Sequence, residues 1–197
     1  ESMEHETKTF FTAMVRENLP VSGLIDSDFV FANDRLAQHY QLPSISGSAM
    51  RKVILPDNSP YGGLLTQGAI LKVTANGTTT SPVLRGKWVL EQILGAPPPP
   101  PPANVPDLAE QKAGALTGTL RQRMEQHRAN PACANCHAKM DPLGFAFENF
   151  NGIGKFRTQE DSFPIEASGV LPDGRKFSGP GELKEILKGK KEQFARC

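Results

Sequence analysis

Cysteine is scarce in this chain: three residues in 197, at Cys133, Cys136 and Cys197. With two of them three apart and the third at the last position, no disulfide framework can be drawn. If the close pair is otherwise engaged, Cys197 is left as a free thiol or an intermolecular bridge. Long apolar runs are also missing; nothing approaches the roughly 18 residues that a membrane-crossing helix needs. No charge of one sign dominates, since 22 basic and 21 acidic residues leave a net charge of +1. That balance speaks against a nucleic-acid footprint and against a basic patch for a membrane surface. Paired carboxylates, a Ser-His-Asp set and a phosphate-cradling glycine loop are not evident, because Gly62-Gly63 and Gly152-x-Gly154 lack a strand-to-helix setting.

Glycine and proline are plentiful, 18 and 17 residues, which predicts much irregular backbone. The pattern otherwise predicts a mainly α chain with long loops and one small β-hairpin near the C-terminus. Phe10, Phe11, Met14 and Val15 recur at helical spacing between Met3 and Asn18, and Leu19-Pro20 ends that helix. Asp34 is the expected cap of a second helix that carries Leu36, Ala37, His39 and Tyr40. Gly62-Gly63 reads as a turn before a short helix over Leu64 to Leu71, and no long strand is expected between Ile45 and Thr80. Ser81-Pro82 opens a helix with Val83, Trp88, Val89 and Ile93 on it, and Gly95 stops it. Six prolines from Pro97 to Pro102 form a stiff spacer. A polar helix from Leu108 to Arg128 carries a stripe of Leu116, Leu120, Met124 and His127. Asp173-Gly174 is the strongest hairpin signal, and a helix from Gly181 to Leu187 follows it. These breaks divide the chain into 1–80, 81–107, 108–160 and 161–197. Glu1-Ser2-Met3-Glu4 lies inside a helical pattern, so the chain reads as a piece of something longer.

Cys133-Ala134-Asn135-Cys136-His137 carries the chemistry. In C-x-x-C-H two thiols can be joined to the vinyl groups of one haem while the next imidazole reaches the iron. A cytochrome c-like haem domain with one covalent haem c, held by Cys133, Cys136 and His137, is the leading reading. Two rivals use the same residues. A zinc site would add Cys197 or another histidine but lacks a second close pair. A thioredoxin-like redox pair would follow a buried strand, whereas the preceding stretch is polar and helical.

Further residues carry a resemblance. Ser81 to Leu90, the proline run, His127-Arg128, the C-x-x-C-H motif, Met140 to Phe150 and Pro172-Asp173-Gly174 together resemble the C-terminal part of the planctomycete-type cytochrome c proteins. Leu24 to Asp28 and Arg35 to Tyr40 resemble the domain that precedes it in that family. The resemblance covers nearly the whole chain. It implies a large, secreted, multidomain bacterial protein, hence a periplasmic or extracellular location and a partner in the remainder of that polypeptide. The stretches that carry the resemblance do not include the family's usual N-terminal haem domain, a departure from its pattern.

With His137 as proximal ligand, a backbone carbonyl near Pro142 is the expected partner of its other ring nitrogen. The distal candidates are His39, His127, Met50 and Met124; Met140, three residues from His137, is expected to pack on the porphyrin edge instead. Arg85, Arg128 and Arg157 are candidate propionate partners, and Trp88, Phe145 and Phe147 candidate pocket walls. A single motif without other catalytic constellations favours an electron-transfer module with a redox partner protein. A peroxidase-like or oxygenase-like haem enzyme with an open sixth site, and an extracellular module that haem merely staples, are the alternatives.

Overall fold

The computed structural model describes residues 1–77, 79–100, 119–127, 131–160 and 162–194. They are mainly helical, with short antiparallel pairs and irregular loops between. Helix α1 spans Ser2–Arg16 and buries Glu6, Phe10, Ala13 and Met14. Those positions lie three or four apart and so share one face. Phe11 and Val15, one step round the helix, stay exposed, so the apolar stripe is narrower than the sequence pattern predicts. The buried face rests on β1 (Phe29–Ala32), where Phe10 meets Phe29 at a ring-centroid distance of 5.5 Å.

Strand β1 pairs antiparallel with β2 (Arg51–Ile54). Two further two-stranded pairs follow: β3 (Gln159–Glu160) with β4 (Phe163–Pro164), and β5 (Ser168–Val170) with β6 (Lys176–Ser178). Thus the hairpin expected around Asp173-Gly174 forms, but among the described residues it is one of three pairs rather than one alone. The first pair escapes the alternation rule because all four β1 residues are buried, so no polar-apolar period marks them. Helix α2 (Asp34–His39) is capped by Asn33, whose Oδ1 accepts from the Leu36 N–H at 3.0 Å; Asp34 is its first helical residue and not its cap.

Gly62 and Gly63 have φ of 124° and 69°. A Cβ on either would strike the backbone carbonyl of Ser27 or Ile25, so both the turn and the close approach require glycine. A single 3-10 turn, Leu64–Thr66, then leads into α3 (Gly68–Val73). Helix α4 (Pro82–Gln92) begins at a Ser81 cap, as its sequence predicts, and packs along α6 (Pro131–Phe145). Between them in sequence lies α5 (Leu120–His127); residues 108–118 and 128 of the long helix predicted there lie outside the described residues. Helices α7 (Gly179–Lys188) and α8 (Lys191–Phe194) close the chain.

One main core gathers residues from Ile25 to Leu187, among them Tyr40, Tyr61, Leu90, Met140, Phe147 and Leu183. Tyr40, Tyr61 and Phe150 form a ladder with centroid spacings of 4.4 and 5.4 Å. Helix α7 is pinned to the N-terminal segment by the buried Lys184, whose Nζ lies 2.7 Å from Asp26 Oδ1.

Candidate functional site

Helix α6 carries the whole C-x-x-C-H motif. Pro131 stands at its first position, where the missing N–H costs nothing. Cys133, Cys136 and His137 fall at i, i+3 and i+4, so one helical face presents both thiols and the imidazole. Both cysteines are half-buried and unbridged, and Cys136 packs against the main core. His137 Nδ1 lies 2.9 Å from Oδ1 of Asp141, one turn further along the same helix; the carboxylate is fully buried and the imidazole 16% exposed. The ring is therefore held by a side-chain carboxylate, not by the backbone carbonyl the sequence suggests. With Nδ1 as donor, Nε2 is the ring nitrogen that carries the lone pair a metal would use.

The face of α6 that begins with Cys133 and Cys136 continues through Met140 and Gly144, and there it meets α4. A Cβ at Gly86 would collide with the Met140 carbonyl, and one at Gly144 with the Pro82 carbonyl. Glycine at both positions lets the two backbones touch. The crossing thereby fixes the height of the motif helix over the core.

A buried ionic network locks the other end of α6. Arg85 donates through Nη1 to the carbonyls of Phe147 (2.7 Å) and Phe150 (2.8 Å), and through Nη2 to that of Asn151 (2.9 Å). Its Nη1 also lies 3.3 Å from Oε1 of Glu148, whose Oε2 accepts from Thr80 at 2.7 Å and lies 3.4 Å from Arg157 Nη2. Burial lowers the Arg85 guanidinium to about 10 and pushes the Glu148 carboxyl up, although each faces an opposite charge. Both directions agree that desolvation outweighs attraction, so this network specifies geometry more than it stabilises. Arg85 is thus neither a solvated surface arginine nor open toward a propionate; both terminal nitrogens are taken up by the turn after α6. Arg157, through Glu148 and Glu160 (2.6 Å), belongs to the same network.

The remaining candidates are spread over several elements. Trp88 is half-buried between α3 and α4, where it lines a small gap with Leu71, Thr74 and Phe147. Phe145 is buried with the Arg121 guanidinium stacked 4.1 Å over its ring, and Met140 sits inside the core. His39 Nε2 donates to the Ile153 carbonyl at 2.8 Å, and Met50 packs half-buried against the core. Met124 is buried on α5, which ends at His127, four positions before α6 begins at Pro131. The side chain of His127, together with Arg128 and Cys197, lies outside the described residues. Among the described residues no three His, Cys, Asp or Glu side chains converge as a metal cage, and no helix is long and apolar enough to cross a membrane.

Two of the clefts that border α6 lie along its C-terminal half. One of about 280 Å³ has an apolar floor of Leu90, Leu94, Leu143 and Leu187 with Lys139 and Lys190 on its rim. The other, about 510 Å³, runs between Pro142 and Phe145 and the β5–β6 pair, with Arg121 and Lys176 beside it. Asp141 is the residue that sequence reading overlooked. Its signal is the i+4 distance from His137, which counts only because the helix runs on through Pro142.

A family model described as PSCyt3, protein of unknown function (DUF1588), matches residues 61–160, 100 of the 197. A second, described as PSD4, protein of unknown function (DUF1592), matches residues 1–42. No curated protein and no solved structure matches the chain.

Proposed function

This chain belongs to the PSCyt3 family, and from that premise we propose that it is a c-type cytochrome module, carrying one covalent haem and passing single electrons. The observation that supports this reading is the placing of two unbridged thiols and one carboxylate-held imidazole on a single helical face. The residues fit the group. Cys133 and Cys136 would form the thioethers, and His137, presenting Nε2, would be the proximal ligand. When bound, the haem supplies the one-electron redox centre.

The chain's own residues then act as a rigid mount. Asp141 fixes the tautomer and angle of His137, the glycine crossing holds α6 against α4, and the Arg85–Glu148 network anchors the helix end. Helix α5 delivers Met124 and His127 immediately before the motif, so these are the distal candidates nearest to it in the chain. Both names, PSCyt3 and PSD4, are consistent with a place in a larger secreted bacterial polypeptide; a separate protein as redox partner belongs to the proposal itself.

The test is expression with a bacterial c-type cytochrome maturation system. Haem that stays with the denatured polypeptide and gives a pyridine haemochrome spectrum is expected. Cys133→Ser and Cys136→Ser should each lose one thioether, and the double variant all covalent haem. A folded protein that matures without covalent haem would refute the reading.

A further inference from the structure

We propose that the Asp141 carboxylate is a positioning residue that sets the reduction potential of the centre, holding it low and favouring the oxidised state. The proposal rests on the haem reading above. Asp141 Oδ1 accepts from His137 Nδ1 at 2.9 Å, and the carboxylate is fully buried on the motif's own helix. A hydrogen bond to a charged acceptor is roughly twice as strong as one to a neutral carbonyl. It draws the Nδ1 proton toward the carboxylate and makes Nε2 a stronger donor to a metal. Oxidation adds one positive charge at the iron, and a buried negative charge on the far side of the imidazole favours that state where the dielectric is low.

The consequence concerns the partner. A centre biased toward its oxidised state accepts an electron only from a strong reductant and gives it up readily. Asp141 therefore selects a low-potential donor on the input side.

The experiment compares the haem-loaded wild type with Asp141→Asn, which keeps a hydrogen-bond acceptor of the same shape and removes the charge. Asp57→Asn, on an exposed loop, controls for the loss of any carboxylate. At fixed potential the ratio of reduced to oxidised haem should rise roughly tenfold in Asp141→Asn, about 59 mV for a one-electron couple, and barely change in Asp57→Asn. An unchanged potential in a folded, haem-bound Asp141→Asn overturns the proposal.

Should the amide unsettle α6, the wild type supplies a second readout. In the ferrous, carbon monoxide-bound protein the His137 Nδ1 proton should resonate far downfield and exchange slowly; exchange as fast as in free imidazole overturns the proposal. Covalent haem content, measured separately by pyridine haemochrome, keeps the two failures apart. Haem attached with an insensitive potential defeats only the role of Asp141, whereas no attachment in the wild type defeats the haem reading and this proposal with it.

Discussion

Replacing Glu6 with glutamine should remove most of the protein's loss of stability between weakly acid and mildly alkaline pH. The Glu6 side chain is wholly buried in α1, its Oε2 accepts from the Tyr40 hydroxyl at 2.6 Å, and its Oε1 meets no partner among the described residues. Tyr40 is itself fixed by accepting from the Gly68 N–H at 2.7 Å. One hydrogen bond does not compensate a dry carboxylate, and burial raises Glu6 from 4.5 to about 8. Because the folded state holds this proton more tightly than the unfolded chain, the contribution is complete below pH 4.5 and is lost as pH rises through about 8. At about 1.4 kcal/mol per unit, the whole window is worth roughly 4–5 kcal/mol. That is a large share of a domain's usual margin of about 5–15 kcal/mol. Urea unfolding at half-unit steps from pH 4.5 to 9 is the assay. Wild-type stability should fall relative to Glu6→Gln across the window, with the difference reaching its plateau above pH 8. The amide adds a constant cost, so only the slope is diagnostic. Glu148 and the other acids are shared by both proteins and cancel in the difference. Parallel pH profiles would refute the argument, because they would mean that Glu6 is charged and solvated in the native state.

Gly144→Ala and Gly86→Ala should each force α4 and α6 apart at a point of backbone contact. A cost of about 3 kcal/mol or more is expected from such overpacking, read as a lower thermal midpoint and weaker near-ultraviolet dichroism around Trp88; native stability in either variant would refute the crossing. Arg85→Met should cost about 3–5 kcal/mol, because Glu148 is then left buried with Arg157 as its remaining cation. Adding Glu148→Gln to it should recover part of that loss in denaturant unfolding, and strictly additive costs would show that the two residues do not act as a pair.

Most helices were legible in the sequence because their signals are local. Ser81-Pro82 opens α4 as the capping rules require, Gly189 stands directly after the last residue of α7, and Asp173-Gly174 sits in the turn between β5 and β6. What escaped depends on contacts across the chain. Strand β1 has no alternation because both of its faces are covered, and Phe11 and Val15 match the helical period yet point to solvent. At the site, the C-x-x-C-H spacing could be read directly, since its geometry is written in five consecutive residues. Arg85 could not be placed: its burial is set by the carbonyls of Phe147, Phe150 and Asn151, more than sixty positions away. Asp141 counts as a partner of His137 only because the helix runs on through Pro142, a residue that usually ends one.

The aromatic ladder also bears on how this chain can be cut for study. Tyr40 lies within the stretch matched by one family model, while Tyr61 and Phe150 lie within the other. A fragment trimmed to either stretch would shear the stack and bare its rings to water. The sequence borders of the two families therefore make poor cloning borders, and exchange of one stretch for a homologous one should succeed only when the ring on the opposite side travels with it.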